Sequence, residues 1–88
     1  MSNEYSVSRA AAYEAINSER DYQDSLSADR TVGLDHTVGD YVTMMQHYQN
    51  QLVKEWTLNA GDEEALVVMR KIAGIAVHCM ERHGAPKR

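Results

Sequence analysis

The sequence predicts an all-α fold, and three observations support this prediction. Apolar residues recur at spacings of three and four in three separate segments, whereas the alternation typical of strands is almost absent. The one proline, Pro86, follows the last segment, and the five glycines fall mostly at joints. A length of 88 residues allows a single domain. We therefore expect three helices over about residues 4–24, 38–57 and 62–83, with a loop over 25–36.

The first helix is expected because its sequence is rich in alanine, the strongest helix former. We place its start at Asn3 or Ser6, and its narrow apolar stripe predicts packing along one side only. Its polar end is interpreted as solvated, with Arg20 partly neutralising Asp24 four residues on. The alternative for this end is a magnesium site built from converging carboxylates. The carboxylates in question are Glu19, Asp21 and Asp24.

The second helix has the clearest pattern. Thr37 is a good N-cap, and Asp40 three residues later completes a weaker form of the capping box. An apolar stripe then continues over about five turns, as expected for a helix with one buried face. The stripe consists of Val38, Tyr41, Val42, Met45, Tyr48 or Gln49, Leu52 and Trp56.

The third helix is apolar on nearly all sides, which indicates a central helix or one covered by a second subunit. We expect Asp62 to cap its start and Gly84 to end it. Gly74, beside Ala73 and Ala76, would allow a close helix crossing; the alternative is a tolerated glycine that costs about 1 kcal/mol. The predicted fold is thus a three-helix antiparallel unit that assembles into a helical homo-oligomer.

Composition excludes several classes of function. The net charge of −4 argues against a protein that coats duplex DNA, since such proteins neutralise phosphates with basic residues. No apolar run approaches the roughly 20 residues that span a bilayer, and from the first residues we expect no secretion signal. The single cysteine, Cys79, is expected to be buried and inert in a reducing cytosol.

No motif predicts a metal or a cofactor. The four histidines lack the spacing of a zinc site on one helix, and neither a P-loop nor a GxGxxG motif occurs. The histidines are His36, His47, His78 and His83.

Two adjacent cations on the third helix and aromatic rings on the second suggest a nucleotide site. Rings stack on bases, and cations bind phosphates. The alternative is that the rings, Trp56 included, belong to the core and that the cations are solvated. The long loop could close over the site and contribute an arginine. The expected ligand-binding residues are Arg70, Lys71, Tyr41, Tyr48 and Arg30.

Three strings resemble small bacteriophage proteins with the layout ERxYQD … HxVxxWL … RKIAALAVxCMExHG. They are residues 18–24 (SERDYQD), 38–42 (VGDYV, after a loop with His36) and 69–84 (MRKIAGIAVHCMERHG). That layout is similar to the MazG-like, all-α nucleoside triphosphate pyrophosphohydrolases. The resemblance implies a helical, oligomeric fold, and in active members an ExxE and an ExxD motif hold Mg²⁺.

This sequence departs from the family at those motifs. The second helix has no carboxylates where ExxE would fall, and the third has Arg70 and Lys71 but no ExxD. We therefore expect a non-catalytic phage protein of the host cytoplasm that sequesters a nucleotide-type ligand, such as a host defence signal. The alternatives are an inhibitor or adaptor that binds a host protein, and a residual pyrophosphohydrolase that uses Glu19, Asp21, Asp24 and Glu64.

Overall fold

A computed structural model describes residues 5–27, 36–58 and 61–88. They form α1 (Arg9–Ser27), α2 (Val38–Leu58) and α3 (Asp62–His83), and no strand occurs among them, which confirms the all-α prediction. Both α1 and α2 pack against α3, whereas α1 and α2 do not contact each other within the described residues. The third helix is therefore central, as its all-round apolar pattern predicts. None of the described helices is long and apolar enough to span a membrane.

The start of α1 lies several residues later than expected. Ser8 is the cap, because the backbone N–H of Ala11 donates a hydrogen bond to Ser8 Oγ at 3.1 Å. The helix also continues to its last residue, Ser27, through three positions that the sequence analysis assigns to the loop. Residues 28–35 of that loop, with Arg30, lie outside the described residues.

The predicted capping box of α2 is confirmed. The N–H of Asp40 donates to Thr37 Oγ1 at 3.1 Å, and the N–H of Thr37 donates to Asp40 Oδ2 at 2.9 Å. The hydrogen bond from the Thr37 N–H to the carboxylate lowers the pKa of Asp40. The apolar stripe is buried only in part, because Tyr41 is enclosed whereas Val42 and Trp56 are exposed.

The sequence predicts the C-terminal end of α3 more accurately than its N-terminal end. Gly61, in an extended conformation and without a side-chain bond, is the N-cap, so the expectation for Asp62 is wrong by one residue. Asp62 instead joins two glutamates in the first turn, where carboxylates favour the positive end of the helix dipole. Gly84 ends the helix at φ 121°, and its N–H donates to the carbonyl of Met80 at 2.8 Å, as predicted.

The central helix has three faces: contacts together with helical spacing identify two of them, and exposure identifies the third. The α2 face lies against Tyr41 and Tyr48, the α1 face lies against Glu19 and Arg20, and the open face carries exposed apolar side chains. The α2 face consists of Val68, Lys71, Ile75 and His78; the α1 face of Arg70, Gly74 and Glu81; the open face of Leu66, Met69, Ala73, Ala76 and Met80.

Candidate functional site

Side chains of α1 lie directly against Gly74 of α3. A Cβ atom added there would lie 2.8 Å from both Glu19 Cγ and Gln23 Nε2, nearer than non-bonded carbon atoms normally come. A larger residue would displace these two side chains of α1. The close crossing expected at this glycine is therefore present.

This approach encloses the Glu19 carboxylate, since only 5% of that residue remains exposed. Arg70 Nε donates to Glu19 Oε1 at 2.9 Å, and Gln23 Nε2 donates to Glu19 Oε2 at 3.3 Å. A buried carboxylate stays charged only when such donors replace its water. Glu19 thus holds the guanidinium of Arg70 at the edge of the contact.

Arg20, the next residue along α1, is also buried, and it points to the other end of the contact. Its Nε donates to Glu81 Oε1 at 2.6 Å, and its Nη2 donates to Asp24 Oδ1 at 2.9 Å. The hydrogen bond from Arg20 lowers the pKa of Glu81. The predicted pair with Asp24 is confirmed, whereas the expectation that Glu19 and Arg20 lie in solvent is wrong, because the close approach at Gly74 excludes water from both.

Beside this ion network lies a cleft of about 380 Å³ between α1 and α3. Both predicted cations line it, and α1 contributes the remaining walls. Lys71 Nζ also lies 5.6 Å from the ring centroid of Tyr48 on α2. The structure therefore brings together three of the five predicted ligand-binding residues, namely Arg70, Lys71 and Tyr48. The cleft is lined by Ser18, Glu19, Tyr22, Arg70 and Lys71.

Tyr41 lies elsewhere, in a cage of three histidines. Its ring meets those of His36, His78 and His83 edge to face, with centroids 5.6, 5.4 and 6.1 Å away. Only 1% of Tyr41 is exposed, and its hydroxyl has no hydrogen-bond partner among the described residues. Burial raises the pKa of Tyr41 and lowers that of His78. His78 follows Lys71 by about two turns of α3, so Tyr41 is separated from the cleft.

Ser18, Glu19 and Tyr22 are not among the ligand-binding residues predicted from the sequence. Their spacing of three and four residues places them on one side of α1, which is the signal that could have found them. That signal becomes informative only once α1 is known to meet α3 through a polar face. Helical periodicity in α1 gives too narrow an apolar stripe to show this.

Among the described residues, no three carboxylate, imidazole or thiol groups are placed to hold a metal ion. Glu19 and Asp24, two carboxylates that the hydrolase alternative requires, are bound by arginines. Comparison of the chain with family models, curated proteins and solved structures finds no match. The likeness to the MazG-like family stays a prediction.

Proposed function

We propose that this protein is a non-catalytic binding protein that holds a nucleotide-type anion in the cleft between α1 and α3. The observation that carries the proposal is that Arg70 and Lys71 line one cleft together with a tyrosine ring, Tyr22. The cleft has a volume of about 380 Å³ and is open to solvent on one side. Cations bind phosphate oxygens, and a tyrosine face can stack on a base.

The buried ion pair with Glu19 orients Arg70 for phosphate binding. A guanidinium carries five N–H donors, of which Nε supplies one to Glu19. The other four belong to the two Nη atoms, and 41% of the Arg70 side chain is exposed. Glu19 therefore fixes the orientation of the planar group, and a phosphate would meet its Nη edge.

The tyrosine proposed to stack on the base is Tyr22, whereas the sequence predicts Tyr41 or Tyr48. Tyr22 lines the cleft and is 57% exposed, so its ring face is accessible to a base. Tyr48, on α2, instead lies near the ammonium of Lys71, whose Nζ is 5.6 Å from the centre of the tyrosine ring. Tyr41 is enclosed and takes no part.

The resemblance to bacteriophage proteins suggests the biological form of the proposal. The ligand would be a nucleotide signal of the host's defence, and the protein would lower its free concentration in the host cytoplasm. A homo-oligomer is proposed as well, because small helical domains bury a limited core and often rely on a partner subunit.

Isothermal titration calorimetry with cyclic dinucleotides, ADP-ribose and ordinary mononucleotides tests the ligand proposal. Lys71→Ala removes a phosphate contact without leaving Glu19 unpaired, and we expect affinity to fall about 10–150-fold, or about 1.5–3 kcal/mol. Lys54→Ala, an exposed lysine of α2 outside the cleft, is the matched control and should bind normally. Failure of every nucleotide to bind below about 100 µM would reject the proposal.

A second candidate function is that of an adaptor which binds a protein partner. It is favoured by an exposed apolar strip on α2, away from α3, in which each side chain is at least half exposed. A protein complex that Trp56→Ala abolishes, in the absence of nucleotide binding, would favour this candidate. The strip consists of Val38, Val42, Val53 and Trp56.

A further inference from the structure

The open face of α3 has the spacing of a helix–helix seam. Its residues follow one another at intervals of three, four, three and four, which is the pattern that packs one helix against another. The larger side chains on it are exposed, Leu66 by 60%, Met69 by 50% and Met80 by 43%. Ala73 and Ala76, which lie between them, are half-buried.

The pattern on the open face is symmetric about its middle. The two small residues, Ala73 and Ala76, lie at the centre, and a methionine follows four residues beyond each of them, Met69 on one side and Met80 on the other. A two-fold axis between the alanines would place Met69 of one copy against Met80 of the next. Isologous interfaces require such self-complementarity, and central alanines let two helices approach closely.

The charges at the ends of α3 select the direction of pairing. Its first turn is acidic, with Asp62, Glu63 and Glu64, and its last turn is basic, with Arg82 and His83. Two more cations, Lys87 and Arg88, follow. In an antiparallel pair the acidic end of each copy lies beside the basic end of the other, whereas a parallel pair would bring like charges together.

We infer that the open face of α3 binds a second copy of this chain, with the two α3 helices antiparallel about an axis between Ala73 and Ala76. This rests on the homo-oligomer proposed above and is independent of the ligand cleft. The seam leaves Arg70 and Lys71 on the other faces of α3, so each copy keeps its own cleft. The occupant is thus this protein itself, and the product is a two-fold dimer of about 20 kDa, twice the 9.9 kDa of the chain.

Cysteine cross-linking tests the pairing. Met69→Cys and Met80→Cys are made separately in a Cys79→Ser background, and circular dichroism confirms that each variant is helical. We expect oxidation of an equal mixture to give a disulfide-linked dimer between the two variants, and little product from either alone. Positions 69 and 80 are about 16 Å apart along α3, too far for a disulfide between identical positions of an antiparallel pair.

The other outcomes each contradict part of the account. Cross-linking of each variant with itself would show a parallel pair, and no cross-linking in an oligomeric protein would place the interface on another face. Light scattering that finds the unmodified chain as a monomer at about 100 µM would reject the oligomer as well as the seam.

A charge placed on the seam provides an independent test. Met69→Asp should raise the dimer dissociation constant at least about 100-fold, because the carboxylate would be buried without a partner. Val42→Asp is the matched control, since Val42 is 54% exposed but lies on α2. Equal effects of the two substitutions would contradict the assignment to α3.

Discussion

α1 and α2 pack against the same central helix in opposite ways. The contact of α1 is polar and close, with Glu19 and Arg20 buried around Gly74. The contact of α2 is apolar and aromatic, with Tyr41 enclosed opposite α3. Apolar burial provides most of the free energy of folding, whereas buried ion pairs contribute little net stability but fix geometry. The difference indicates that α2 and α3 form the stable core and that α1 organises the cleft.

Replacement of Ile75 on the α2 face gives the largest expected effect. Ile75 is buried, and Ile75→Asp places a charge in the core without a partner. We expect the free energy of unfolding to fall by about 4 kcal/mol or more, which would unfold a domain of this size. Circular dichroism in urea measures it. Val53→Asp, an exposed position of α2, is the control and should remain folded.

Substitutions in the polar contact between α1 and α3 should lower the free energy of unfolding less than Ile75→Asp does. Arg70→Ala leaves the buried Glu19 carboxylate without its charged donor, and we expect a loss of about 2 kcal/mol. Adding Glu19→Gln should recover part of that loss, because an amide is cheaper to leave unpaired than a carboxylate. Urea unfolding of both single variants and the double variant gives the coupling energy. Strict additivity would show that the pair does not hold α1 in place.

Alanine substitutions at two glycines, Gly74 and Gly39, test the close contact between α1 and α3. Gly74→Ala gains helix propensity, but its Cβ meets α1 at 2.8 Å, so we expect a net destabilisation of about 1–2 kcal/mol. Gly39→Ala, also within a helix, has its nearest contact at 3.6 Å and should be stabilising by up to about 1 kcal/mol. Thermal melts of both variants provide the test, and the same sign for both would contradict the close approach.

The smallest effect concerns pH. Burial, with the charge of Arg20, lowers the pKa of His78 below its ordinary value of 6.5, so the unfolded chain takes up that proton first as the pH falls. Stability should be complete above about pH 6.5 and should decrease as the pH falls toward the lowered pKa. Melting curves of the unmodified protein and of His78→Gln, recorded between about pH 7.5 and about pH 5, measure this loss of stability. An unchanged profile in the variant would exclude His78 as its source.

What the sequence predicts correctly in this protein is local. The Thr37–Asp40 capping box and the Gly84 terminus depend on residues within one turn of each other, and the central position of α3 follows from its all-round apolar pattern. What it predicts wrongly depends on long-range packing. The burial of Glu19 and Arg20 requires α3 to approach α1, and no periodicity within α1 indicates that.

The candidate site likewise has one part that the sequence predicts and one part that it does not. Arg70 and Lys71 are neighbours in sequence, so their presence at one cleft follows directly from the chain. The aromatic partner does not, because the choice between Tyr22 and Tyr41 depends on which face of α3 each neighbouring helix covers.

A nuclear magnetic resonance titration tests the central claim, that the polar α1–α3 contact builds an anion site, most directly. Uniformly ¹⁵N-labelled protein is titrated with ADP-ribose and with a cyclic dinucleotide, and amide shifts are followed residue by residue. The account predicts saturable shifts for at least one nucleotide, centred on Ser18, Tyr22, Arg70 and Lys71. Shifts confined to the exposed α2 strip around Val42 and Trp56, or none at all, would contradict it.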